Sequence, residues 1–264
     1  MTTLLLRLVL APAFIVAISL VARRFGARAG GIVGGLPVIA GPIFFVLALD
    51  KGTRFAADAA IGTMLGVVAL IAFVLAYVGV SGRYRWPVAI TAGWAVFFAV
   101  LGAMEPVDAG ADLAVVLACA ACALGVLLLP KPERGTAPAD VRPRHDLAFR
   151  AASAVVPVVV ITGVAGSVGS HVAGLLSSFP IITPVVAAFT QAQHGAREAQ
   201  RLLYGFTIGF FSYSLFCFVI ARTLVPLGIG GSFAIGAVVA LAVQGLAVAA
   251  TWHADRRIPA EIEA

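Results

Sequence analysis

Of 264 residues, 61% are hydrophobic and 11% are charged, with a formal net charge of +6 and a mean hydropathy of +1.06. Soluble domains carry about 25% charged residues, so this chain cannot clothe a water-facing surface of its size. That excludes a soluble enzyme, a disordered protein and a nucleic-acid binder, and it makes the positive balance a signal of membrane topology.

A crossing helix needs roughly 20 mostly apolar residues. Nine runs meet that length and predict an all-α polytopic membrane helix bundle: 4–22, 30–49, 59–80, 86–104, 110–130, 148–166, 172–191, 202–224 and 229–252. Continuous apolar runs exclude a membrane barrel, whose strands are alternating segments of about ten residues. A helix also satisfies its own backbone hydrogen bonds within one segment, as lipid demands.

The first run is followed by Arg23, Arg24 and Arg28. Positive charge after the run predicts an uncleaved helix with an external N-terminus. The second run contains Gly30 to Pro42, GGIVGGLPVIAGP. Pro37 lies about eight residues into it, roughly 12 Å deep at 1.5 Å per residue, near the bilayer midplane. A proline inside a helix removes a hydrogen bond and clashes with the preceding turn, and Gly34-Gly35 weakens that turn further. The second span is therefore expected to be broken.

The third run carries Gly62-xxx-Gly66 and the eighth Gly205-xxx-Gly209, a spacing that lets helices approach backbone to backbone, within a protomer or at a homodimer face. The fifth run holds Cys119 and Cys122. Their apolar context favours small packing residues over a redox pair or half a metal site. A Pro- and charge-rich stretch, 131–147, reads as a cytoplasmic linker. In the seventh run, Ser177, Ser178 and Pro180 stand where the second has Gly34, Gly35 and Pro37, with Thr183 and Pro184 just beyond.

This last likeness belongs to a longer one. At an offset of 143, Arg7 falls on Arg150, Gly31 on Gly174, Pro37 on Pro180, Gly52 on Gly195 and Arg54 on Arg197. Gly62 falls on Gly205, Gly66 on Gly209 and Gly93 on Gly236. Residues 7–73 share sixteen identities over 67 ungapped positions. Spans 1–4 thus map onto spans 6–9, and span 5 has no counterpart. An offset of five spans is odd, so the halves insert in opposite orientations: 1–108 as a first repeat, 109–147 as linking helix and linker, and 148–264 as the inverted second repeat. Inverted repeats recur in secondary transporters.

Loop charges set the expected orientation. Fourteen Lys and Arg fall on the side of loops 1–2, 3–4, 5–6 and 7–8 and the C-terminus, and four on the other. This places the C-terminus in the cytoplasm of a cytoplasmic (inner) membrane.

The functional expectation is a transporter, a secondary carrier or facilitator for a small polar or anionic solute. Its substrate site is expected at the midplane between broken helices 2 and 7, from Gly34, Gly35, Pro37, Ser177, Ser178, Pro180 and Thr183. Half-helix N-termini there would offer free N–H groups. Arg54 and Arg197, with His194, mark the two mouths. Two alternatives remain: a lipid or lipid-linked precursor translocase, with a groove open to lipid, and a non-transporting membrane subunit or intramembrane enzyme. No acid lies in the middle of any span, which weakens a proton-coupled mechanism. No catalytic, cofactor or metal motif is found, so the chain is not expected to be an enzyme. Its partners are expected to be the lipid bilayer and a small-molecule or lipid substrate, and not nucleic acid.

Overall fold

The structure is a computed structural model that describes residues 2–38, 40–131 and 182–256. Among these residues it is all-helical. The elements are α1 (Thr2–Phe25), α2 (Ala27–Gly34), α3 (Ala40–Asp50), α4 (Thr53–Ser81), α5 (Trp86–Met104), α6 (Ala111–Leu128), α7 (Ile182–His194) and α8 (Ala196–Arg256). The predicted span 148–166 and the first part of 172–191 lie outside the described residues. Eight helices, rather than nine spans, are therefore what the described chain presents. Four segments are long and apolar enough to cross a membrane: α4, α5, α6 and residues 196–250 of α8. These are the helices of an integral membrane protein by length and composition.

The predicted spans 202–224 and 229–252 are the two arms of α8, which is two helices joined at a kink. The helix path is interrupted at Gly228, with φ 71° and ψ −178°, two residues after Pro226. The two arms then fold back on each other. Ser212 Oγ donates to Ala240 O at 2.8 Å, and the Phe216 and Phe233 rings meet edge-on at 6.2 Å. Conversely, the predicted span 30–49 is not one helix. It divides into α2 and α3, separated by residues 35–39.

The inward faces of α5 and α6 are rich in small residues, and their outward faces carry larger ones. The buried face of α5 is Ala89, Gly93, Phe97 and Leu101. That of α6 is Ala111, Ala114, Ala118, Cys122 and Gly125. Both follow the three-to-four-residue spacing of one helix face. Their outer faces expose Val88, Val96 and Phe98, and Leu113, Val116 and Leu124. Lipid makes burying large apolar side chains between helices no more favourable than leaving them outside, so close contact of small residues drives association. Helix α4 is the most enclosed of the long helices, buried over most of its surface from Ala56 to Ser81, with one less covered stripe running through Asp58, Ile61, Val68, Ala72, Leu75 and Gly79.

The short helices α3 and α7 each turn into a long one through a glycine. Gly52, before α4, has φ 93° and ψ 160°, and Gly195, before α8, has φ 88°. Positive φ with extended ψ is essentially open to glycine alone. Each glycine carbonyl then accepts the N–H four residues on, from Ala56 at 3.2 Å and Ala199 at 3.4 Å.

At Gly93 an added Cβ would stand 2.7 Å from the Phe73 ring, whereas at Gly102 it would meet open space. Gly93→Leu is expected to destabilise the protein by about 1–3 kcal/mol through overpacking. Gly102→Leu is expected to be near neutral, with thermal unfolding in detergent as the measurement for both.

Candidate functional site

The site centres on the break between α2 and α3. Helix α2 ends at Gly34, and the Gly35 N–H still reaches Gly31 O at 3.2 Å and Ile32 O at 3.1 Å. Leu36 N–H donates to Val33 O at 3.1 Å, closing a last tight turn. Pro37 has no N–H to continue the ladder. The chain restarts as α3, with Gly41 N–H bonded to Pro37 O at 2.9 Å. The break expected from Gly34, Gly35 and Pro37 is present.

Glycine contact holds it in place. On α2, Gly31 faces the backbone of Leu202 and Phe206, and Gly35 faces Gly209. On α8, Gly205 faces Arg28 O and Gly209 faces Ile32 O. A Cβ at any of the four would collide with backbone. Gly205 and Gly209 were readable as a packing motif. Gly31 and Gly35 have the same four-residue spacing, and that signal was available but was overshadowed by the proline. Gly34 lies against the Phe206 ring. The return arm of α8 adds a polar tie, as Gln244 Nε2 donates to Ile32 O.

Beside the break is a cavity of about 530 Å³, open to the surface. Leu36, Pro37, Val38, Gly41, Pro42 and Phe45 form one wall, and Phe216, Phe233, Ala237, Ala240 and Leu241 of α8 the other. Its aromatic floor is cross-braced: Phe45 meets Phe233 edge-on at 5.6 Å, and Phe44 stacks with Phe216 at 6.5 Å. Almost no polar surface reaches it. The groove is apolar for a local reason: the Gly41 N–H is taken by Pro37 O, and Pro42, in the first turn of α3, has no N–H to offer.

Of the other predicted site residues, Ser177, Ser178 and Pro180 lie outside the described residues. Thr183 is buried near the start of α7 and does not line the groove. Arg54 and Arg197 are exposed, each the second residue of a long helix. His194 closes α7. None of these three lines the groove.

Several hydroxyls bond within their own helix. Thr63, Thr91, Thr207 and Ser214 each donate to the carbonyl four residues earlier, at 2.8–3.0 Å. A hydroxyl one turn from a carbonyl finds it without any partner helix. Bridging between helices is done by Ser212, Gln244, Gln200 and Gln191. Gln191 of α7 is buried, accepts from Tyr77 OH at 2.7 Å, and donates to Ser81 O at 3.1 Å and Tyr84 O at 3.0 Å.

The chain matches no protein-family model, no curated protein and no solved structure.

The Tyr77–Gln191 bond joins α4 to α7 across 114 residues of sequence. A Tyr77→Phe, Gln191→Leu double-mutant cycle is expected to give a coupling of about 0.6–1.7 kcal/mol, the range for interhelical hydrogen bonds in membranes. Reversible unfolding in mixed micelles measures it.

Proposed function

We propose that the chain is a membrane carrier of two inverted halves that moves an amphiphilic, lipid-like solute along the groove at the α2–α3 break. The observation that carries this is the opening of a helix break onto an apolar groove. A broken helix is a bistable element, because its two halves can change angle without losing internal hydrogen bonds. An apolar groove beside it suits an acyl or prenyl chain far better than a small anion.

Support for two halves comes from contacts that recur at the 143-residue offset. Gly52 and Gly195 make the same turn between a short and a long helix. Phe73 presses on Gly93, and its equivalent Phe216 presses on Gly236, where an added Cβ would stand 3.0 Å from the ring. Equivalent residues thus make equivalent contacts. On this reading the second half begins near 148 and the first ends near 108. The loop charges favour an external N-terminus and a cytoplasmic C-terminus in the inner membrane.

Gly41 gives the test. A Cβ there would sit at an ordinary 3.6 Å from Phe216 Cζ, so Gly41→Leu fills the groove without a collision at its base. Purified protein is reconstituted in liposomes holding a fluorescent phospholipid, with accessibility to an added reductant as readout. The expected result is exchange between leaflets that falls at least about tenfold in Gly41→Leu, with the size-exclusion profile unchanged. Uptake of small anions or neutral polar solutes with no lipid exchange would overturn the substrate class. Lipid exchange unaltered by Gly41→Leu would overturn the groove.

A further inference from the structure

A second cavity, of about 300 Å³, lies far from the groove's apolar walls, between the α4–α5 turn and the junction of α7 with α8. Ser81, Arg83, Tyr84, Arg85, Gln191 and Ala196 are among its lining residues. We propose that it binds a phosphate-bearing anion.

The argument starts from which polar atoms remain available. The carbonyls of Ser81 and Tyr84 are both taken by Gln191 Nε2. The Ser81 hydroxyl donates to Val78 O at 3.0 Å and accepts from Gln200 Nε2 at 3.2 Å. Gln191 Oε1 accepts from Tyr77 OH. These four acceptors beside the cavity are thus already bonded to protein donors. What remains is a set of donors: the exposed guanidinium groups of Arg83 and Arg85, and the backbone N–H of Ala196, which opens α8 and has no residue four earlier in the helix to bond.

Charge points the same way. No carboxylate lines the cavity. The nearest acid in sequence, Glu198, is paired with Arg201, and Arg197 adds a third cation in the same first turn of α8. A pocket lined by no carboxylate, with two arginines and a helix N-terminus, fits a tetrahedral oxyanion, which arginine meets through paired N–H bonds. The pocket is also held rigid, since Gln191 fixes the α4–α5 turn to α7 by three hydrogen bonds.

The same phosphate chemistry has two sources: the headgroup of an anionic lipid, or a free phosphate compound in water. Tyr84 and Trp86, 58% and 42% exposed beside the arginines, occupy positions that aromatic residues take at a membrane interface.

The site stands independently of transport, because its test reads binding. Full-length protein in detergent is given either phosphatidylglycerol or phosphatidylcholine, and lipid retention is measured by native mass spectrometry. In parallel, inorganic phosphate and glycerol phosphate are titrated by calorimetry. The variants are Arg83→Gln/Arg85→Gln, both exposed positions, and Arg222→Gln, an exposed arginine elsewhere. The expected result is that the double variant loses at least about tenfold of the affinity for phosphatidylglycerol, with phosphatidylcholine and Arg222→Gln unaffected. Loss of phosphate or glycerol phosphate binding instead identifies a soluble ligand and supports the same site. The proposal is overturned if the double variant matches the parent in both arms, or if it loses both lipids equally.

Discussion

The fold depends on a place where two backbones touch. Gly31 and Gly35 of α2 meet Gly205 and Gly209 of α8 with no side chain between them. Helix α2 is only eight residues long, too short to be stable alone and too short to cross a membrane. It is held because its glycines let it reach the backbone of a far longer helix. Its last free carbonyls lie within reach of that same partner, and Gln244 takes the one at Ile32. Pro37 dictates that the span breaks; the glycine contact fixes where the half before the break sits against α8.

From that contact follow the two cavities, which differ in chemistry for local reasons. The groove beside Pro37 is apolar because proline removes donors on one side and α8 presents phenylalanine and alanine on the other. The cavity at the α4–α5 turn is polar because Gln191 takes the Ser81 and Tyr84 carbonyls and arginines face the space. Both lie against α8, which therefore serves as the wall of each. The long helix gains this double role by folding back at Gly228.

Much of the fold was legible in the sequence. Helix α5 begins and ends where the apolar run 86–104 does, α6 falls within two residues of 110–130, and α4 begins six residues before 59. Lipid imposes a strict length and excludes polar interiors, so apolar runs map directly to helices. The break at Gly34-Gly35-Pro37 was legible for a similar reason: backbone chemistry alone forbids an unbroken helix there. The site was less so. Its expected second half, Ser177, Ser178 and Pro180, lies outside the described residues, and the groove beside Pro37 takes its apolar character from the donors used there and the side chains that stand opposite. Arg83 and Arg85 entered the sequence reading only as loop charges. Their relation to Gln191, more than a hundred residues away, is invisible until the chain is folded.

The sequence by itself determined the solvent this protein lives in, the length and number of its apolar runs, and the point where its second span must break. These are consequences of composition and of one residue's covalent geometry, so they need no partner. Only the tertiary structure decided what the glycines touch, what faces the break, and which polar atoms remain free. Those outcomes depend on contacts between residues distant in sequence, and the same glycine, hydroxyl or amide can serve packing or binding according to what is brought against it.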